Sequence, residues 1–290
     1  MTLDQLRIFI AVADREHITQ AAAHLNLTQS AVSAAIAALE ERHAIQLFDR
    51  VGRRIVLTDA GRLFLDEARA VVARAEQAAR LLGDLAGLKR GILRLAASQT
   101  VANYWLPSVM QRFGAAYPGF RQELVTGNTE DVARMVHAAT VDLGFVEGQI
   151  EDSTLAIQSV PGDELALVVA PDHTWAQKPP AGPKALISSP WVLRESGSGT
   201  RAACMAALSR HGLGAEDVEV RLEMPSNEAV RAAVESGAGV TILSTLVVGP
   251  SVDAGRLVRV PFDLPPRQFH VLRHKKRHAS LAEQKFLELA

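Results

Sequence analysis

A chain of 290 residues is long enough for two or three compact units, and its 48% hydrophobic content supports packed cores. A formal net charge of −1 excludes a generally basic nucleic-acid coat, so any grip on a polyanion has to come from local clusters. Cys204 is alone, which excludes an intramolecular disulfide, and among Ala202, Ala203 and Ala206 it is expected to be buried.

Leu6, Phe9, Ile10 and Ala13 form the apolar stripe of a first helix. Ile18–Leu25 reads as a short Ala-rich helix that breaks at Asn26, and the Thr28 hydroxyl is placed to cap the next one. There Val32, Ala35, Ile36 and Leu39 share one apolar face. The opposite face carries Gln29, Ser30 and Ser33 with small Ala34 and Ala37. Gln and Ser hydrogen-bond base edges or phosphates, and Ala admits a close approach to a groove floor. An αα-hairpin buried in a core is the alternative reading of the same pattern. Next, Arg50, Arg53 and Arg54 cluster around Gly52 between apolar residues. That suits a two-stranded wing whose arginines reach phosphates or the minor groove, or else a solvated hairpin.

Residues 1–89 resemble the N-terminal domain of LysR-type transcriptional regulators, through LDQLRIFIAVAD, ITQAAAHLNLTQSAVSAAIAALEE and LFDRVGRRIVLTDAG, and the later sequence continues that family's pattern. The resemblance implies an α+β multidomain chain: a winged helix-turn-helix, a long linker helix and two α/β subdomains similar to periplasmic binding proteins. The expected divisions are 1–58 for DNA binding, 59–89 for the linker and 90–290 for effector binding. Within the last, subdomain I covers 90–161 and 266–290, and subdomain II covers 162–265. Thr28, Gln29, Ser30, Ser33, Arg50, Arg53 and Arg54 are the expected DNA contacts.

No proline precedes Pro107, as expected of a largely helical first third. Thr58–Gly61 opens a helix running to about Leu88, in which Phe64, Ala68, Val71, Ala75, Ala78, Leu82 and Leu85 alternate in steps of four and three, the seam of a coiled coil. Thirty such residues would span roughly 45 Å. Arg62, Arg69, Arg74 and Arg80 line its outer faces, which favours a dimer seam over a helix lying on the chain's own core. The resemblance implies an antiparallel pairing of this helix with its mate, and a tetramer.

From Gly91 strands alternate with helices, which implies a parallel sheet with ligands at the strand ends. Those ends carry Ser98, Gln99 and Thr100, then Thr126 and Asn128, then Glu147. In the second subdomain, Ser196-Gly197-Ser198-Gly199-Thr200 precedes an Ala-rich helix, and Asn227 stands at the start of another. Glycines let backbone N–H groups converge, hydroxyls add donors, and the helix presents its positive end, so the natural occupant is an anion. A Gly-rich turn satisfied by serine caps is the alternative. The resemblance implies a small oxyanion or anionic metabolite as effector; Glu147 sits awkwardly with a bare anion. The chain is expected to return to the first subdomain near Pro265-Pro266.

No P-loop Lys, dinucleotide fingerprint, G-x-S-x-G or H-E-x-x-H motif is found. His270, His274 and His278 need a helix to converge on a metal, yet Phe269–Leu272 reads as a strand followed by a solvated basic loop, so neither metal nor cofactor is expected. The expectation is a sequence-specific transcription regulator, not an enzyme. Its expected partners are a dyad-symmetric double-stranded operator and its own copies, with RNA polymerase a further candidate. The alternatives are a hydrolase or transferase using Ser98 or Ser198 as nucleophile, and a small-molecule-binding protein without a DNA function. The absence of a signal peptide or long apolar run leads to the expectation of a cytoplasmic chain without a membrane span.

Overall fold

The computed structural model describes residues 1–51, 54–85, 90–148, 150–277 and 279–290, and of Val51, Arg54, Gln77 and residues 80–85 the backbone alone. Several positions named above lie outside the described residues: Gly52, Arg53, His278, the end of the linker, and the side chains of Arg54, Arg80, Leu82 and Leu85. The chain divides into two compact units, one mainly of residues 1–87 and one mainly of residues 88–290.

In the first unit, α1 (Leu3–Arg15), α2 (Ile18–Leu25) and α3 (Gln29–His43) stop at Glu16, Asn26 and Ala44, each in the left-handed region with φ of 47°, 55° and 49°. A capping box between Thr2 and Gln5 starts α1, and Thr28 Oγ1 accepts from the Ala31 N–H at 3.2 Å to start α3. The hairpin β1 (Phe48–Val51) and β2 (Arg54–Leu57) follows, then the 27-residue α4 (Asp59–Leu85), capped by Thr58 Oγ1 on the Gly61 N–H. Leu6, Phe9 and Val12 meet Val32, Ile36, Leu39, Phe48 and Ile55 in one core.

That core also takes two residues assigned above to the dimer seam. Phe64 stacks tilted against Phe9 with ring centroids 5.0 Å apart, and Ala68 is 1% exposed. Both serve the chain's own fold. The outward apolar residues of α4 are instead Leu63, 77% exposed, with Val71, 43% exposed, and the exposed Ala70 and Ala78, on a face that also carries Glu67 and Arg74.

The second unit runs β3 (Gly91–Ser98), a π-helical turn at Val101–Trp105, α5 (Leu106–Ala116), β4 (Phe120–Gly127), α6 (Thr129–His137), β5 (Leu143–Val146) and β6 (Leu155–Asp163). The chain then crosses to β7 (Leu165–Val169), α7 (Thr174–Gln177), α8 (Pro183–Leu186), β8 (Trp191–Arg194), α9 (Gly199–Ser209), β9 (Val220–Met224), α10 (Asn227–Glu235), β10 (Thr241–Ser244), α11 (Thr245–Asp253) and β11 (Val258–Val260). It returns as β12 (Arg267–His274) and ends with α12 (Leu281–Leu287). One lobe holds a five-stranded sheet in the order β4-β3-β5-β12-β6, with β3 parallel to β4 and β5, and β12 antiparallel to β5 and β6. The other holds β10-β7-β11 and the parallel pair β8-β9, linked by a bridge between Trp191 and Val240.

Two sequence readings need correction. A nine-residue strand, β6, stands where none was expected, and the chain crosses between sheets at Glu164. The basic loop is solvated at Lys275 and Lys276, but Arg277 is buried. Its Nη1 donates to the Val141 carbonyl at 2.8 Å, and its Nη2 to Asp142 at 3.1 Å. His270 lies on β12 as expected, the strand runs on through His274, expected in the loop, and no group of metal-ligating side chains converges among the described residues.

Next to Arg277, Glu283 on α12 is 3% exposed; burial, with Asp142 adding repulsion, pushes its carboxyl up to about 7. Glu283 therefore contributes stability that is complete below about pH 4.5 and lost as pH rises through about 7, roughly 3 kcal/mol in all. Thermal unfolding of the parent should weaken from pH 5 to pH 8 relative to Glu283→Gln. A constant difference between the two across that range would exclude the effect.

Candidate effector cleft and recognition helix

In the first unit the elements separate the faces of α3 cleanly. Val32, Ile36 and Leu39 are buried, while Gln29, Ser30, Ala34 and Ala37 are exposed and Ser33 is half-buried. Thr28 Oγ1 lies 3.0 Å from Ser30 Oγ in addition to capping the helix. Arg50 is exposed on β1.

In the second unit the strand and helix ends named by the sequence converge between the lobes. Ser98, Thr100, Glu147, Ser198, Thr200 and Asn227 are all at most 5% exposed. Glu147 is the centre of the set. Its carboxylate accepts from Ser98 Oγ, from Thr100 Oγ1 at 3.3 Å and, across the lobes, from Thr200 Oγ1 at 3.1 Å. Asn227 Nδ2 donates to Thr100 Oγ1 at 3.0 Å, and Asn227 Oδ1 accepts from Arg194 Nη1 at 2.6 Å. Gln99 reaches the other lobe twice: its Oε1 accepts from the Asn227 N–H, and its Nε2 donates to the Pro225 carbonyl.

The Gly-rich loop performs the second of the roles left open by its sequence, a turn satisfied by a serine cap. Ser198 Oγ caps α9 by accepting from the Arg201 N–H at 3.4 Å, while Gly197 turns the chain at φ 80°. Asn128 Nδ2 donates to the Ser196 carbonyl, and the Glu130 N–H to the Gly197 carbonyl, both at 3.4 Å. Gly199 sits where a Cβ would stand 2.6 Å from Thr129 Oγ1 and 2.7 Å from the Gly148 nitrogen, so only glycine fits. Thr126 is not brought into the set; it is exposed on β4, in register with Ala97.

Three residues were missed by sequence reasoning. Arg267, at the start of β12, forms a two-pronged pair with Asp163 (both bonds 2.7 Å), donates to Thr200 Oγ1 at 3.3 Å and stands 4.0 Å from Glu147. Arg194, 3% exposed, closes β8 and pairs with Glu195. Thr129 Oγ1 is buried at the start of α6 with no hydrogen-bond partner among the described residues. A cavity of about 850 Å³ lies alongside, lined in part by Glu147, Gly148, Gly199, Ala203, Arg210 and Arg267.

Residues 3–62 match the bacterial regulatory helix-turn-helix proteins of the lysR family, and residues 86–290 match the LysR substrate binding domain. The chain belongs to the LysR family of transcriptional regulators. This LysR-family chain is 37% identical over 290 residues, 99% of its length and 96% of the relative's, to the uncharacterized HTH-type transcriptional regulator YeiE of Escherichia coli (strain K12). Its second unit is similar to the CcmR regulatory domain of Synechocystis PCC6803 in complex with 2-PG: 30% identity, 69% of this chain and 95% of that one, TM-score 0.61. The fold of the whole chain matches full-length CbnR solved with its target DNA: 20% identity, 100% of this chain and 98% of that one, TM-score 0.70. No described helix of this LysR-family chain is long and apolar enough to cross a membrane.

Proposed function

We propose that this regulator reads a dyad-symmetric operator through Gln29, Ser30 and Ser33, with Arg50, Arg53 and Arg54 on backbone or minor groove, and that a small anion held between the lobes tunes that binding. One observation carries the effector reading: hydroxyls from both lobes, backed by Arg267, already bind a carboxylate, that of Glu147. The 2-PG held by a relative's regulatory domain supports the class of ligand. The division into residues 1–58, 59–89 and 90–290 is adopted with it, and the lobes are divided at Glu164 and around Pro265-Pro266. The outward face of α4 pairs two chains, and contacts between effector domains make a tetramer. Cytoplasmic location and a contact with RNA polymerase complete the proposal.

The chain acts by binding rather than catalysis. Both serines suggested as nucleophiles are otherwise engaged: Ser98 donates to a carboxylate, and Ser198 caps a helix.

Gel-shift titrations with and without effector test both halves. Gln29→Ala and Ser33→Ala should each cost roughly 1–3 kcal/mol on the cognate site. Thr200→Val should leave operator binding intact while removing the response to the effector. Unchanged cognate binding in Gln29→Ala, Ser30→Ala and Ser33→Ala alike would discard the recognition face. A parental effector response in Thr200→Val and Ser98→Ala would discard the cleft.

A further inference from the structure

We propose that Glu147 is a tethered occupant of the anion seat, so that the effector binds by exchange with the Glu147 carboxylate and not by addition to an open site. The inference rests on the reading that the cleft takes a small anion.

The argument turns on the direction of each hydrogen bond. A hydroxyl has one proton to give. Thr200 Oγ1 accepts from Arg267 Nη1, which has only protons to offer, so the Thr200 proton points to Glu147. Thr100 Oγ1 accepts from Asn227 Nδ2, whose orientation is held by Arg194 on its Oδ1, so the Thr100 proton points the same way. Ser98 donates there too. Two buried arginines thus fix the polarity of a seat that presents donors only, which suits any oxyanion or carboxylate. All three protons are spent on Glu147. An incoming anion finds none of these three donors free until that side chain leaves, and meets a like charge while it stays.

The geometry also supplies somewhere for Glu147 to go. The cavity of about 850 Å³ is lined by Glu147 itself, together with Gly148 and Arg267, so open volume adjoins the seat. Because Glu147 is joined to one lobe and bonded to Thr200 of the other, it holds the cleft closed while no effector is present. An effector would take over that bridge, and its chemistry must match three hydroxyls on fixed centres.

Isothermal titration of the full-length chain with inorganic sulfate, at constant ionic strength, tests the exchange. Glu147→Ala is expected to bind sulfate at least tenfold more tightly than the parent, because the competing carboxylate is gone. Adding Thr200→Val to Glu147→Ala should erase the gain, which places sulfate on the same hydroxyls. Glu147→Gln, neutral and the same shape, should fall between, and carries the test if Glu147→Ala loses its native circular dichroism. Tenfold tightening that depends on Thr200 supports the proposal. Equal or weaker binding in a folded Glu147→Ala, with the parent's binding sensitive to Thr200→Val, overturns exchange but keeps the anion cleft. Sulfate binding that is absent throughout, or indifferent to Thr200→Val, overturns both.

Discussion

Arg267→Met is expected to destabilise the second unit by about 3–5 kcal/mol, the range for breaking a buried ion pair by removing one partner. The side chains of Arg267 and Asp163 are 6% and 2% exposed, and the guanidinium meets both carboxylate oxygens. Removing it leaves Asp163 charged and buried, and takes a donor from Thr200. Methionine keeps the volume of the stem, so the loss reports charge rather than a cavity. Adding Asp163→Asn should recover part of the loss, since the orphaned charge then goes as well. Trp105, Trp175 and Trp191 are the chain's three tryptophans and all lie in this unit, so urea unfolding followed by tryptophan fluorescence reads it alone. A loss below about 1 kcal/mol would show that the pair adds little to the stability of the hinge.

Leu63→Glu with Val71→Glu is expected to abolish the dimer and, with it, tight operator binding. Both side chains stand outside the first unit's core, so the winged helix should keep its fold. In a two-fold pairing each substitution enters the interface twice, setting four further carboxylates where apolar side chains stood. The functional loss follows from linkage of sites: two half-sites bound by one dimer gain about 10²–10⁴ over one, and a monomer forfeits that factor. Sedimentation should show the variant as a monomer at micromolar concentration, with half-site binding no worse than the parent's. A dimeric variant, or a monomeric one that binds the full operator at parental strength, would refute the pairing face. The matching change Phe64→Ala should instead unfold the first unit, because Phe64 packs on Phe9.

That contrast shows why the linker was only half legible. An apolar step of four and three marks a helix with one buried stripe, and the step is the same whether the stripe meets a partner or the chain's own core. Capping chemistry, being local, was legible at Thr28, Asn26 and Thr58, which do what their side chains and backbone preferences allow, but not at Glu16 and Ala44, whose residue types do not mark a left-handed stop. The strand β6 was hidden by Pro161 and Gly162, both of which read as breakers. It lies at the edge of its sheet, the one place where a strand tolerates proline. Most of the cleft was readable because polar residues at strand ends had to face something. The arginines that orient it were not, because Arg194 and Arg267 are distant in sequence and each reads as an ordinary surface cation until the fold buries it.

The two crossings between lobes leave from neighbouring strands. β6 ends at Asp163 in register with Arg267, where β12 begins, and the ion pair ties those two points together. The guanidinium that fastens them is also the one that donates to Thr200 Oγ1 in the cleft, so the joint between the lobes and the seat share a side chain. Any occupant that draws on Thr200 is therefore expected to be felt at the joint through Arg267 itself, with no further residue in between.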